Sequence, residues 1–285
     1  MKYSKYLILI PFVFILFSQS QISAQWKQMM GPVGDNVTSL ASSGSTVLCG
    51  TYYGFIYRSD DYGMNWTESV LGFNTGINSR TLATNGSIAF CSHEYGVPYR
   101  STNNGKTWSV LNTLVGNGGP MTFFSIFGDT VFSGFDIDGM FTSTNQGLTW
   151  AKTAQGLDMF ATVRSVVSIE EQLFLITRVQ GVYTSFDKGA NWTSIHNGLP
   201  SGDWISIVAA DGNLYAGGYN IGVFKSTNRG QNWSQVNSGL TGLRVNSMIS
   251  IGNVVFADVY GTGIFKLVDG DSNWVNVTGA IPMVG

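Results

Sequence analysis

The chain has 285 residues, a formal net charge of −2, only 11% charged residues, 13% aromatics and 36 Gly. So little charge with so many aromatics excludes intrinsic disorder, and the scarcity of Glu, Lys and Arg excludes a long-helix or coiled-coil protein. The near balance of charge gives the chain no electrostatic footprint for nucleic acid. Gly and aromatics mixed with Ser, Thr and Asn read as short strands and tight turns, an all-β chain.

Lys2 and Lys5 precede an apolar run over residues 7–17, and a polar stretch then ends in Ser23 and Ala24. That order is the pattern of a secretory signal peptide cut after a small residue. The run is too short for a membrane span of about 20 residues. Residues 1–24 are therefore read as a signal peptide and 25–285 as the mature chain. The expected location is secreted, periplasmic or cell-surface, with no membrane span after cleavage.

Seven tryptophans set the period. Trp26, Trp66, Trp108, Trp150, Trp192, Trp233 and Trp274 are separated by 40, 42, 42, 42, 41 and 41 residues, and only Trp204 stands off this ladder. A fixed period near 40 is the mark of a repeat architecture. One octet precedes each Trp from the second onward: SDDYGMNW, STNNGKTW, STNQGLTW, SFDKGANW and STNRGQNW, then a decayed LVDGDSNW. Its third position is Asp61, Asn103, Asn145, Asp187, Asn228 or Asp269. A short Asx side chain there bonds backbone N–H groups of a turn. The Gly two places later supplies a positive φ. The Trp opens the next strand and covers the turn, and its N–H needs a partner.

The pattern S-x-D-x-G-x-x-W resembles the Asp-box, or BNR, repeat of sialidases, sortilin-type receptors and photosystem II assembly factors. The resemblance runs over the whole mature chain. It implies a β-propeller in which the box is structural and the ligand face lies on the opposite rim.

Each period holds four strand-like pieces, in the second repeat roughly residues 79–84, 87–93, 97–101 and 107–111, which is one propeller blade. Six periods between Trp26 and Trp274 predict a six-bladed β-propeller of four-stranded antiparallel blades filling residues 25–285. The segment Trp26-Lys27-Gln28-Met29 looks like one outer strand too many. It is expected to add to the last blade and close the ring, hiding sheet edges.

Cys49 and Cys91 are 42 residues apart and share a column with Ser133, Leu175, Ala216 and Ala257. Equivalent positions in packed sheets lie about 10 Å apart, beyond disulfide reach. Two buried thiols are expected. His93 and His196 fall in different repeats, with no clustered ligand spacing, and no phosphate loop or nucleophile elbow is present. No metal and no cofactor is expected.

Two columns reach the rim away from the octets. Tyr52, Glu94, Asp136, Arg178, Tyr219 and Tyr260 end the second strands. Thr38, Arg80, Phe124, Arg164, Ile205 and Asn246 start the inner strands, with Asp203, Trp204 and Arg244 beside them. Variation at a fixed place in a repeat is what a grafted site shows, although solvated loop residues vary too. Arg suits bidentate capture of a carboxylate, and ion pairing with Glu94 or Asp136 is the plainer alternative. The candidate ligand site is Arg80, Glu94, Asp136, Arg164 and Arg178 of blades two to four. Trp204, Tyr219, Arg244 and Tyr260 are added from blades five and six, as rings for stacking and a further cation.

Two functions fit this reading. The first is a binding or scaffold module for a protein, peptide or glycan. The second is a sialidase-like glycoside hydrolase, with Arg80, Arg164 and Arg244 on the substrate carboxylate, Tyr219 or Tyr260 with Glu94 as nucleophile pair, and an Asp acid/base. The family's F/Y-R-I-P stretch is missing: the first inner strand reads Asn36-Val37-Thr38-Ser39-Leu40, without Arg. Hydrolysis by paired carboxylates would instead need Glu94, Asp136, Asp138 or Asp258 about 5–10 Å apart.

Overall fold

A computed structural model of the protein describes residues 36–71, 79–93, 97–114, 119–153, 155–158, 161–268 and 270–278. The expected signal peptide, the Trp26 strand, Glu94 and Asp269 lie outside them, and so does the side chain of Arg80.

The described strands form six sheets, a six-bladed β-propeller: each blade has four antiparallel strands in chain order, and the second also carries the short strand Val70–Leu71, which pairs parallel with its outer strand. The inner strands are Val37–Ser43, Ser79–Thr84, Met121–Phe127, Val163–Ile169, Asp203–Ala210 and Val245–Ile251. Each blade then turns outward through two further strands to a short outer strand that starts within one residue of the ladder Trp. In the second repeat the four strands run Ser79–Thr84, Ala89–His93, Pro98–Ser101 and Thr107–Val110, within two residues of the sequence reading.

Second strands such as Thr130–Phe135 and Gln172–Thr177 are buried along their whole length, because both faces of a blade pack on neighbours. Five apolar clusters result, one at each junction from blades one and two to blades five and six. Cys49 and Cys91 are both buried, and no disulfide joins them.

The octets are turn devices with a repeated hydrogen-bond plan. The Ser59 hydroxyl donates to Asp61 Oδ1 at 2.7 Å and accepts from the Gly63 N–H at 2.8 Å. Asp61 Oδ1 also accepts from the Asn65 N–H at 2.8 Å. The same three bonds recur in the octets at Asn103, Asn145, Asp187 and Asn228. Gly63 takes the expected positive φ of 87°, and the residue before it, Tyr62, is left-handed too at 60°. Asn104, Gln146, Lys188 and Arg229 repeat that second positive φ.

The Trp ring lies against the box Gly and against the preceding blade. Trp192 packs edge-on to Phe132, and Trp233 and Trp274 donate their ring N–H to the carbonyls of Ile195 and Val236. The ladder Trp thus joins blades as well as covering the turn.

Only two of the described boxes carry a carboxylate. Hydrogen bonds from Asn65 and Ser59 hold Asp61 at about 2, and those from Asn191 and Ser185 hold Asp187 there as well. A depressed folded pKa stabilises above the unfolded value near 4 and is lost as pH falls toward 2. Asn103, Asn145 and Asn228 do not titrate. The double variant Asp61→Asn, Asp187→Asn is therefore expected to lose less of its melting temperature between pH 5 and pH 2.5 than the parent. Equal losses in the two proteins would contradict this.

Candidate functional site

A break in register at the start of every described inner strand shapes the rim opposite the octets. Pairing slips between Val37 and Ser39, Ser79 and Thr81, Met121 and Phe123, Val163 and Ser165, Trp204 and Ser206, and Val245 and Ser247. A bulge leaves one residue unpaired and re-aims its side chain. The bulged column is thus Thr38, Arg80, Thr122, Arg164, Ile205 and Asn246. This corrects the sequence alignment at one place. Phe124 does not belong there: it is buried, pairs with Ser133 and stacks on Phe90 at 5.2 Å.

The residue before each inner strand meets the end of the second strand of its own blade. Tyr52 N donates to the Asn36 carbonyl at 2.8 Å, and Asp136 N to Pro120 at 3.0 Å. Arg178 N donates to Thr162 at 2.8 Å, and Tyr260 N to Arg244 at 2.9 Å. Asp203 pairs with Tyr219. The side chains reach across to the next blade instead. Arg178 Nε of blade four lies 3.4 Å from Asp203 Oδ2 of blade five. The guanidinium of Arg244, in blade six, lies 4.6 Å from the Tyr219 ring of blade five and 4.0 Å from the Tyr260 ring of its own blade.

Arg178, Asp203, Tyr219, Arg244 and Tyr260 therefore form one belt over blades four to six. Both tyrosine rings stay open to solvent. Arg244 is half-buried, and its Nε makes no hydrogen bond among the described residues. An exposed ion pair such as Arg178–Asp203 adds about 0–1 kcal/mol to stability, and an exposed cation–π contact about 0.5–1 kcal/mol. The belt is thus a weak source of stability. What it offers is a cation between two flat rings.

Asp136 is half-buried, and its backbone carbonyl accepts from the Thr162 hydroxyl at 3.0 Å. Arg164 is half-buried in the bulge column, its Nε without a hydrogen bond among the described residues. Asn246 of the same column donates to Asp258 Oδ2 at 3.1 Å.

Trp204 requires a correction. It is wholly buried, edge-on to Phe224 at 5.8 Å, and offers no face for stacking on a ligand. It shares a column with Val163 and Val245, which are core positions, and the bulge comes one residue later. Tyr53 was missed by the sequence reading. It stands exposed at the same rim, edge-on to Tyr52 at 5.5 Å, and the doubled Tyr52-Tyr53 was its only signal.

On the octet rim a cleft of about 620 Å³ opens between blades three and four, lined among others by Phe127, Asp129, Glu170, Phe186 and Lys188. Among the described residues no group of His, Cys, Asp and Glu is arranged to hold a metal ion, and no helix is long and apolar enough to cross a membrane.

Comparison with known proteins agrees with this architecture. Residues 56–70 match the BNR-Asp box repeat family, and residues 99–110 match the BNR/Asp-box repeat family. No curated protein sequence matches. Among solved structures, YCF48 bound to D1 peptide superposes with a TM-score of 0.71 at 13% identity, over 90% of this chain and 86% of that one. YCF48 from Cyanidioschyzon merolae gives 0.66 at 16%, over 91% and 90%. The GH74 enzyme of Niastella koreensis gives 0.65 at 18%, over 82% of this chain but only 37% of the enzyme. At these identities the likeness concerns the fold. With five intact octets in register and six blades built on them, the chain belongs to the BNR/Asp-box repeat propeller family.

Proposed function

We propose that this chain is a secreted binding module that holds a peptide or glycan segment on the rim opposite its Asp boxes, at the belt Arg178, Asp203, Tyr219, Arg244 and Tyr260. The observation that carries the reading is Arg244 between two exposed tyrosine rings. Tyr and Arg dominate binding hot spots because they offer large rigid area and directional donors. A sugar face or an aromatic side chain can lie on the rings, and a carboxylate or carbonyl can take the guanidinium. That a YCF48 structure is described with a bound peptide makes a peptide a reasonable first probe. The sialidase-like alternative draws no support from the belt, which holds Arg244 but neither Arg80 nor Arg164 of its three arginines.

The test is a binding screen of the mature protein against immobilised peptides and oligosaccharides, repeated with Arg244→Ala. The variant is expected to weaken the captured interaction at least about tenfold. Its melting temperature should move by less than about 2 °C, since little stability resides in these contacts. Unchanged binding by Arg244→Ala would remove the belt from the site.

A further inference from the structure

The octet rim, on the far side from the belt, holds the cleft of about 620 Å³ between blades three and four. Its volume suits a side chain with some flanking backbone. Blade four departs from the other blades at two places, and both line this cleft. The second residue of the octet is Asp60, Thr102, Thr144, Thr227 or Val268 in the other repeats and Phe186 here. The Phe186 side chain is 79% exposed, more than any other large apolar side chain among the described residues.

The second departure is the tip that joins the first two strands. It reads Gly44-Ser45 in blade one, Gly128-Asp129 in blade three, Gly252-Asn253 in blade six and Glu170-Glu171 in blade four. Glu170 sits at φ 56°, the left-handed place that Gly44, Gly128 and Gly252 fill in their own blades. An L-residue is disfavoured there, so turn chemistry does not account for a pair of glutamates.

The charges of the cleft are unevenly engaged. Arg229 of blade five donates to Glu170 Oε2 at 2.9 Å and to Gln172 Oε1 at 3.2 Å. Asp129 Oδ1 accepts from Gln146 Nε2 at 2.7 Å. Glu171 and Lys188 are both exposed and make no ion pair or hydrogen bond among the described residues. Phe127 is half-buried and held edge-on to the buried Phe132 at 6.1 Å, which gives the cleft a fixed aromatic wall. Three carboxylates against one ammonium, beside two rings, favour a cation with an apolar neighbour. Lys188 can take a backbone carbonyl beside that cation, which suits a polypeptide better than a free amine.

We propose that this cleft is a second binding site, separate from the belt, for a basic side chain of a partner polypeptide. The incoming guanidinium or ammonium meets Glu171 and Asp129, and an adjoining apolar residue lies on Phe186 and Phe127.

The test is fluorescence anisotropy of the mature protein with a labelled, end-capped peptide Gly-Phe-Arg-Phe-Gly. Two further probes carry citrulline or glutamate in place of the arginine. The arginine peptide is expected to bind the parent, and the neutral citrulline peptide at least about tenfold more weakly. Glu171→Gln and Phe186→Ala should each weaken the arginine peptide about fivefold or more. Arg244→Ala, on the other rim, should leave it unchanged. Glu171 and Phe186 are exposed, so both variants should melt within about 2 °C of the parent.

Four results would overturn the proposal. Failure of the arginine peptide to bind the parent would show that the cleft does not take a basic segment. Equal binding of the citrulline peptide would mean that charge is not read. Tighter binding of the glutamate peptide would make Lys188, and not the carboxylates, the selecting group. A loss on Arg244→Ala with none on Glu171→Gln would put the peptide on the belt and leave the cleft without it.

Discussion

Trp204→Ala is expected to lower the stability by about 3–5 kcal/mol, the cost of emptying a fully buried aromatic site. For a chain of this size that is a fall in melting temperature of roughly 6–20 °C. Trp204 is wholly buried at the junction of blades four and five, against Phe224 and in one cluster with Ile207 and Leu214. Its backbone N–H donates to the Arg178 carbonyl at 2.8 Å, so the same residue ties the two blades at the rim. Thermal unfolding followed by circular dichroism measures the effect. A shift below about 2 °C would mean that the ring is not part of the packed junction.

Gly239→Ala is the second large effect. Gly239 lies in the link between blades five and six with φ of +88°. A Cβ there would run into the carbonyl oxygen of Trp274 and come within 2.9 Å of its nitrogen. Both are backbone atoms held by the strand, and Trp274 N already donates to the Ser238 carbonyl at 2.8 Å. The left-handed backbone costs about 1–2 kcal/mol for an L-residue, and the collision adds roughly 1–3 kcal/mol. Gly212→Ala is the internal control. Its φ is +76°, but nothing lies within 4 Å of the added carbon, so only the backbone cost of about 1 kcal/mol applies. Equal melting temperatures for the two variants would contradict this account. The same design recurs at Gly198, where a Cβ would lie 2.7 Å from the Trp233 carbonyl oxygen.

The blade count was legible because the octet is a local device: Ser, Asx and Gly bond within five residues, so spacing alone reports it. The buried second strands were legible for a related reason, since a strand covered on both faces reads as an apolar run. The rim was less legible. Phe124 was placed in the rim column although the 42-residue spacing from Arg80 falls on Thr122, and Trp204, one residue before the bulge, carries no mark in the sequence that it faces the core. Columns told which residues reach the rim, but not that a side chain meets its partner one blade further on. Arg178 was grouped with Glu94 and Asp136 and faces Asp203 of the next blade, while Glu94 and the side chain of Arg80 lie outside the described residues.

The central claim is that ligand is held on the rim opposite the Asp boxes, at Arg244 and its two tyrosines. The most direct measurement is the affinity of one captured peptide or oligosaccharide for Arg244→Ala and Tyr260→Ala, set against Phe186→Ala. Phe186 is a still more exposed aromatic on the octet rim, lining the cleft between blades three and four. The expected result is at least about a tenfold loss for each belt variant and none for Phe186→Ala, with all three melting temperatures near the parent's. A loss confined to Phe186→Ala would place the ligand on the other face and contradict the account.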